Sequence, residues 1–268
     1  MARYKKKRVR ELQHDRFRDT TISIFDRLGT LLEGRGKQIL YGIGAVLLLA
    51  ILVGVWITWS RRKADEARRA LGRGIAIAST PVTPPSPSDP TSSYATEQER
   101  AQKAIEEFQK VTAKYGDPYQ TEARYFIATN LLFVDRDKGI SELTELSKSK
   151  FSDIATLAKF ALAQTKEADG KYDEAAQLYS QIASQNMAII TPETANLRLA
   201  MVYQKQGKKK EAADILFQIA DAARKAKDTE GATLPVSAAA REASQELQKL
   251  DPDRFAQLPP EAPAAGLL

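Results

Sequence analysis

The side chains that could carry out chemistry are few and lie far apart in the sequence. Carboxylates occur in two close pairs, Glu106 with Glu107 and Glu142 with Glu145, and paired carboxylates can serve general acid/base catalysis. Acidic residues are also common on solvated helix surfaces, and no histidine or glycine-rich loop accompanies either pair. We therefore interpret both pairs as surface residues.

The composition excludes several classes of enzyme. The chain has no cysteine, which removes thiol catalysis, disulfides and zinc-thiolate sites, and His14 is its only histidine. A Ser-His-Asp triad needs an imidazole that a third group holds rigidly, and His14 lies in a highly charged N-terminal segment. We expect no catalytic residue, no cofactor and no metal ligand, and we predict that the chain is not an enzyme.

The positive charge is concentrated at the N-terminus. Residues 1–38 contain 11 Lys and Arg against 5 Asp and Glu, which accounts for the whole formal net charge of +6. The run Lys5-Lys6-Lys7-Arg8 could contact RNA, the ribosome or anionic lipid through phosphate groups, or it could be a solvated arm that sets membrane topology. Because no aromatic residue interrupts this run for base stacking, we do not expect nucleic acid as a partner.

One segment is apolar enough to cross a lipid bilayer. From Ile39 to Trp59 the sequence has 21 residues without a charge, and at about 1.5 Å per helical residue this length spans roughly 30 Å of hydrocarbon. Tyr41 near one end, and Trp56 and Trp59 near the other, are residue types that prefer the headgroup level. We predict a single transmembrane helix over residues 39–59, with these three rings at the membrane interface.

Two other interpretations of this segment are weaker. A buried core helix seldom runs this far without a polar face. A cleaved signal peptide would have a charged region of 38 residues, and the nearby triplet Ala76-Ile77-Ala78 follows a cluster of arginines. The flanking charges disagree about orientation, because three Lys or Arg lie close before the segment and six lie close after it. Counted over the whole tail the bias is 11 to 6, which favours a cytoplasmic N-terminus.

Composition divides the chain into six segments. A Pro- and Ser-rich stretch separates two helical regions, and it could be either a linker or a loop insertion. The predicted segments are a basic cytoplasmic tail with a short amphipathic helix within 21–34 (1–38), the transmembrane helix (39–59), a post-membrane helix (60–78), the Pro/Ser-rich stretch (79–96), a repeat domain (97–250) and a disordered tail (251–268).

The repeat domain is predicted to be all-α. Its Ala-rich sequence keeps a helical period, with breaks near Gly116-Asp117-Pro118, Asp135 to Gly139, Gly170, Thr191-Pro192 and Gly207. Two sets of positions recur at steps of 35 to 37 residues, namely Ala104, Ile140, Ala175 and Ala212, and Ala128, Ala163 and Ala200. That spacing is close to the roughly 34 residues of a tetratricopeptide unit, and it predicts an α-solenoid of about three to four helix pairs.

Two copies of the repeat show the residues that would pack such a pair. Small residues let two antiparallel helices approach closely, and a large residue four positions later fills the adjacent gap. The expected packing residues are Leu162, Ala163, Gly170, Ala175 and Tyr179 in one copy, and Leu199, Ala200, Gly207 and Ala212 in the next. The copy from Ala128 to Ile140 is degenerate, and residues 61–78 could be the displaced first helix of the copy that contains Ala104.

These features together resemble a family of bacterial, tetratricopeptide-like, single-span membrane proteins that includes the ancillary subunit of the SecYEG translocon. The resemblance is carried by the lead-in FDRLGTLLEGRGKQ, one glycine-containing span, the post-membrane helix RRKADEARRAL and the degenerate repeats. It implies a bacterial inner-membrane protein with a cytoplasmic N-terminus and a periplasmic repeat domain. It also implies protein partners, namely translocon subunits, chaperones or exported clients. The Pro-rich stretch and the long basic arm depart from the family pattern.

A candidate binding surface follows from the repeat. Stacked helix pairs form a concave surface lined mainly by the first helix of each pair, and such surfaces bind extended or helical peptides. By position in the unit, the candidate peptide groove consists of Tyr125, Thr129, Phe160, Gln164, Leu197, Met201 and Gln204. A register shift of one residue would instead make Tyr125, Phe160 and Leu197 core residues under a capping helix, for which residues 236–250 are the candidate.

The sequence therefore predicts a protein-protein interaction module that residues 39–59 anchor in the lipid bilayer. The function that the resemblance implies is that of a translocon-associated or periplasmic chaperone-like adaptor for exported proteins. The alternative is a structural scaffold for a membrane-associated complex, with the same anchor and no chaperone role.

Overall fold

The structure is a computed structural model that describes residues 36–83, 93–227, 229, 231 and 234–260. The basic tail, the amphipathic helix expected within residues 21–34 and the last eight residues lie outside this described part. The chain divides into two compact units, Met1–Asp65 and Glu66–Leu268.

The described residues form helices joined by turns and loops, with isolated β-bridges such as that of Val82 with Tyr94, so the prediction of an all-α chain is confirmed for them. In chain order the helices are α1 (Gly36–Ala78), α2 (Glu97–Lys114), α3 (Tyr119–Val134), α4 (Arg136–Leu146), α5 (Ser152–Ala168), α6 (Tyr172–Ala183), α7 (Pro192–Lys205), α8 (Lys209–Lys225), α9 (Ala238–Leu250) and α10 (Pro252–Phe255). Very short turns join α3 to α4, α5 to α6 and α7 to α8, which makes each of these couples an antiparallel pair.

Helix α1 contains the whole apolar segment. It has 43 residues, about 65 Å at 1.5 Å per residue, so the predicted segments 39–59 and 60–78 are parts of one helix. In the described part it is the one helix long and apolar enough, by length and composition, to cross a membrane. The large apolar side chains from Tyr41 to Trp59 are exposed, including Tyr41, Trp56 and Trp59 at 73%, 65% and 56%. Such a surface is unfavourable in water and needs an apolar surrounding.

Individual capping residues and glycines determine where several of the helices begin and end. The hydroxyls of Thr96, Thr191 and Ser237 accept hydrogen bonds from the third backbone N–H of α2, α7 and α9, which satisfies donors that the helix itself leaves free. Gly170 and Gly207 end the turns after α5 and α7 with φ of 72° and 76°, a left-handed conformation that side chains disfavour. The two glycines therefore occupy the turns at which the repeat pattern places them.

Small residues meet large ones where the helices of a pair pack. Ala163 of α5 and Tyr179 of α6 are both fully buried in one apolar cluster, and Ala200 of α7 shares another cluster with Leu216 of α8. The other expected packing residues of these two pairs, Leu162, Ala175, Leu199 and Ala212, are buried as well. Close packing of this kind fills the interhelical space without voids.

The last part of α1 packs against α2 in the same way. A Cβ atom added to Gly74 would overlap the ring of Phe108, so the two helices approach at this glycine. Phe108 is fully buried with Leu71 of α1 and stacks on Phe126 of α3, the ring centroids being 5.0 Å apart. Leu71 and Gly74 therefore pack on α2, and whether residues 61–78 are the displaced first helix of this copy stays a prediction.

The Pro/Ser-rich stretch is closed at its base. Val82 and Tyr94 form the β-bridge, the Thr83 N–H donates to the Tyr94 carbonyl at 3.1 Å, and the Tyr94 N–H donates to the Pro81 carbonyl at 3.2 Å. Arg100 of α2 adds a bond from Nη1 to the Thr80 carbonyl at 3.4 Å. Of the two possibilities for residues 79–96, these contacts favour a loop insertion over a free linker.

The degenerate copy differs from the expected break at Asp135 to Gly139. Only Asp135 interrupts the helices, because its carboxylate accepts from the Lys138 N–H and caps α4. Gly139 lies inside α4, where an added Cβ would come within 2.9 Å of the Leu132 backbone nitrogen. The glycine therefore permits close packing of α4 on α3, and the turn before it needs no glycine.

The carboxylate of Glu167 on α5 accepts hydrogen bonds from side chains of α6 and α7. The Tyr179 hydroxyl of α6 donates to Glu167 Oε2 of α5 at 3.0 Å, and Lys205 Nζ of α7 donates to Glu167 Oε1 at 2.6 Å. Burial raises the pKa of the Tyr179 phenol, and the charge of Glu167 raises it further. The phenol is consequently kept as a neutral hydrogen-bond donor.

Part of the predicted disordered tail is ordered, which corrects the boundary at residue 251. Asp251 caps the short helix α10 by accepting from the Arg254 N–H, and Arg254 forms an ion pair with Asp214 of α8. Leu258 is 8% exposed and packs into the core formed by α7, α8 and α9. Apolar burial thus extends the order to residues whose Pro-rich composition suggested a tail.

Replacing Gly74 with alanine should lower the free energy of unfolding by about 1 to 3 kcal/mol, because the new methyl group must displace a buried, stacked ring. Gly72 lies two residues earlier on the same helix and has open space around its Cβ position. Gly72→Ala should be neutral or stabilising by up to about 1 kcal/mol. Urea unfolding of the full chain in mild detergent, followed by far-UV circular dichroism, compares the two; equal effects would contradict the close approach.

The raised pKa of Tyr179 makes stability sensitive to alkaline pH. A group whose folded pKa is raised stabilises fully below its unfolded pKa, about 10 for tyrosine, and loses that contribution as pH rises towards the folded value. Tyr179→Phe should therefore be less stable by about 1 to 2 kcal/mol near neutral pH, and the difference should shrink above about pH 10. Denaturant unfolding of both proteins between about pH 8 and pH 11 checks this; a constant difference would refute it.

Candidate functional site

Three helices carry the residues of the candidate peptide groove. Tyr125 and Thr129 lie on α3, Phe160 and Gln164 on α5, and Leu197, Met201 and Gln204 on α7. The residues within a helix are three or four positions apart, so they share one helix face. These helices are the first members of the three pairs, which is where the repeat places the surface.

The accessibility of the seven side chains differs. Gln164 is exposed, and Tyr125, Thr129, Phe160, Met201 and Gln204 are half-buried. Leu197 is buried, with 3% of its surface exposed. Six of the seven side chains therefore present some surface, whereas Leu197 presents almost none.

Aromatic contacts fix the rings at two of these positions. Tyr125 packs edge-on against Phe126 with ring centroids 5.5 Å apart, and Phe160 packs edge-on against Tyr179 at 5.6 Å. Edge-to-face arrangements of this kind are favourable for aromatic pairs. Burial raises the pKa of the Tyr125 phenol, which keeps it protonated and able to donate a hydrogen bond. The rings are thus held in place by neighbours inside the same helix or pair.

Helix α9 covers the surface at Leu197. Leu197 lies in one apolar cluster with Ala240, Ala243 and Leu247, all of which are fully buried on α9. The Ser237 hydroxyl at the start of α9 donates to the Glu193 carboxylate of α7 at 2.7 Å. The burial of Leu197 agrees with the alternative in which it is a core residue. Helix α9 (Ala238–Leu250) lies within residues 236–250, the segment predicted to cap that core.

The C-terminal part of α7 retains an unsatisfied donor. Gln204 Nε2 is buried and has no hydrogen-bond partner among the described residues, and the same holds for Oε1 of the nearby Gln206. Leaving a buried amide unpaired costs about 1 to 3 kcal/mol. Met201, three residues before Gln204, keeps a flexible thioether that contacts Arg198 Nη1 at 3.8 Å. These side chains could adapt to a bound main chain.

The candidate residues are all uncharged, but charged residues flank them on the same helices, including Arg198, whose Nη1 lies 3.8 Å from the Met201 sulfur, and Glu122, three positions before Tyr125. Burial raises the pKa of Glu122, while Arg68 acts in the opposite direction. The seven candidate side chains themselves are neutral and include aromatic, aliphatic, amide and hydroxyl groups, which suit contacts with a polypeptide segment.

The acidic pairs form ion pairs on helix surfaces. Hydrogen bonds from Lys110 and Arg73 lower the pKa of Glu107, and Glu142 pairs with Arg124 at 3.0 Å. Glu106 and Glu145 pair with the lysines three residues away, Lys103 and Lys148. In the described part of the chain no group of three or more His, Asp or Glu side chains is placed to hold a metal ion.

Two features of the surface were not predicted from the sequence. Phe133 is 49% exposed on α3 and follows Thr129 by four residues, so extending the same helical stripe by one turn would have found it. A cavity of about 240 Å³ lies where α8 meets α9, with Arg224, Arg241 and Phe255 in its lining. Its lining comes from three helices, and no local spacing in the sequence indicates it.

Comparison with protein-family models, with curated proteins and with solved structures finds no match for this chain. The assignment of function therefore depends on the residues and contacts described above.

Leu197 and Gln164 should respond differently to truncation. Leu197→Ala should lower the free energy of unfolding by about 2 to 5 kcal/mol because it leaves a cavity under α9. Gln164→Ala removes an exposed side chain and should change stability by no more than about 0.5 kcal/mol. Denaturant unfolding of the two variants checks this. A small change in the free energy of unfolding for Leu197→Ala would show that α9 does not cover this part of the surface.

Proposed function

We propose that this chain is a bacterial inner-membrane protein whose helical unit is a tetratricopeptide-like solenoid that binds other proteins during export or envelope assembly. Helix α1 anchors it by a single span, the N-terminus is cytoplasmic, and the helical unit is periplasmic. The partners are polypeptides in transit, together with the translocon subunits or chaperones that handle them. No catalytic step is part of this proposal.

The packing of the pairs supports the solenoid. A small residue of the first helix is buried with a large residue of the second in α1 with α2, in α5 with α6 and in α7 with α8: Gly74 with Phe108, Ala163 with Tyr179, and Ala200 with Leu216. Glycine turns follow α5 and α7 at the same place in the unit. This recurrence of small residues packed with large ones supports the solenoid proposed from the sequence spacing.

One observation carries the binding function: equivalent positions on three successive first helices present uncharged, mostly half-buried side chains. Tyr125 and Phe160 are 35 residues apart, as are Thr129 and Gln164, and Met201 follows Gln164 by 37. A continuous row of such residues offers apolar contact together with amide and hydroxyl groups for a peptide backbone. Helix α9 ends the row by covering Leu197.

The anchor supplies the mechanism. A single weak contact between a neutral surface and an unfolded segment has low affinity, but a tethered groove meets emerging chains at high effective concentration. The exposed apolar run in α1 is the natural tether, because it has the length of a bilayer core. The basic N-terminal tail supports a cytoplasmic start, and a folded domain can be translocated despite the arginines that follow the span.

Photo-crosslinking tests the binding function directly. A photoreactive residue in place of exposed Gln164 on α5 should crosslink to a secreted polypeptide that is stalled during its export across the same membrane. The same residue in place of Gln181, which is exposed on the second helix of that pair, is the matched control and should give little product. Equal crosslinking at both sites, or none at either, would favour a scaffold that does not bind clients.

A charge placed in the row should weaken that contact. Thr129→Lys puts a cation among uncharged side chains, so the yield of client crosslinked at position 164 should fall severalfold, because the client must desolvate the new charge. Thr144→Lys adds the same charge at an exposed position on α4 and should leave the yield unchanged. Quantified crosslinking from membranes with matched protein levels provides the measurement, and equal yields would place the client elsewhere.

A further inference from the structure

Three cations follow directly where the apolar run of α1 ends. Trp59 is the last residue of the run, and after Ser60 come Arg61, Arg62 and Lys63, all of them exposed. At about 1.5 Å rise per residue the three cations lie roughly 3 to 6 Å further along the helix axis than Trp59. They are therefore the first charges that a headgroup layer would meet at this end of the span.

The helix distributes these charges around its axis. Successive residues of an α-helix are rotated by about 100°, so three consecutive side chains point in three different directions. The first acidic residue after the run is Asp65, which is farther from Trp59 than all three cations. Arg61, Arg62 and Lys63 thus form a cationic collar that surrounds the helix, and this name is used for them below.

One residue of the cationic collar contacts the tryptophan that ends the apolar run. Lys63 Nζ lies 3.7 Å from the centroid of the Trp59 ring, a cation–π contact. Indole rings favour the headgroup level of a bilayer, because one side of the ring is apolar and its N–H is polar. A bilayer that holds this ring at its headgroup level would therefore place the ammonium group beside the lipid phosphates.

We infer that the cationic collar of Arg61, Arg62 and Lys63 binds the headgroups of anionic phospholipids in the leaflet from which α1 emerges. Guanidinium groups pair with phosphate oxygens through two parallel hydrogen bonds, and an ammonium group pairs as a point charge. Anionic headgroups are favoured over zwitterionic ones because the latter carry their own cation next to the phosphate. This inference rests on the proposed membrane span.

The chain provides its own probe for this interaction. It has two tryptophans, Trp56 and Trp59, and both lie at this end of the apolar run. In a Trp56→Phe background, the fluorescence of Trp59 therefore reports only on lipids around the collar. The full chain is reconstituted in vesicles of equal parts phosphatidylglycerol and phosphatidylcholine, with bromine near the headgroup end of the acyl chains of one lipid or the other.

Brominated phosphatidylglycerol should quench Trp59 at least about twofold more strongly than brominated phosphatidylcholine, because each surface cation attracts anionic lipid. High salt should reduce this preference, since exposed charges are screened. Replacing the collar with Arg61→Gln, Arg62→Gln and Lys63→Gln should abolish it. The matched control is Lys208→Gln, Lys209→Gln and Lys210→Gln, which removes three consecutive exposed cations at the start of α8 and should preserve the preference.

The outcomes separate the collar from the span. Equal quenching by both lipids in the parent protein, or a preference that survives loss of the collar, overturns the lipid-binding inference while the span stands. Absence of quenching by either brominated lipid shows instead that the apolar run is not in the bilayer, which overturns the proposed membrane anchor.

Discussion

The helix pairs depend on contacts in which a small residue of one helix leaves room for a large side chain of the next. Gly74 permits the Phe108 ring to lie directly against α1, and Ala163 is buried with Tyr179 in the following part of the unit. A larger residue at either small position would separate the helices and disturb every neighbour that packs on them. The same contact determines which faces turn inward, and hence which side chains on the first helices stay accessible.

This packing gives the two parts of α1 different surroundings. Helix α1 carries the exposed apolar run, and its last turns contribute Leu71 and Gly74 to the core with α2. The Val82–Tyr94 bridge holds the segment after α1 beside the segment before α2. Helix α9 packs over Leu197 and shields this part of the core from water.

Much of the fold could be predicted from the sequence because it depends on local signals. Helical period, the glycines at 170 and 207, and the small residues Ala163 and Ala200 each act within one pair. What could not be predicted depends on contacts distant in sequence. Gly74 and Phe108 are separated by the insertion, and Leu258 becomes buried only because α7, α8 and α9 have already formed a surface for it.

The candidate surface also depends partly on local signals and partly on contacts distant in sequence. Helical spacing placed the seven residues on shared faces of α3, α5 and α7, since a face repeats every three to four positions. Spacing cannot say which residue another helix covers, so Leu197 could be predicted either as a groove residue or as a core residue, and the packing of α9 makes it a core residue. Phe133 was missed because the predicted stripe stopped one turn early. Periodicity defines a face, and only the packing of later elements decides how much of it remains open.

The central claim is that a helical binding unit lies outside the cytoplasm while α1 ties it to the membrane. Because the chain has no cysteine, Gln164→Cys introduces a unique thiol on an exposed position of α5. Spheroplasts of a bacterial host that express this variant are treated with a maleimide that cannot cross membranes. The account predicts labelling of intact spheroplasts, with no further labelling after lysis. Labelling that occurs only after lysis would place the unit in the cytoplasm and contradict the account.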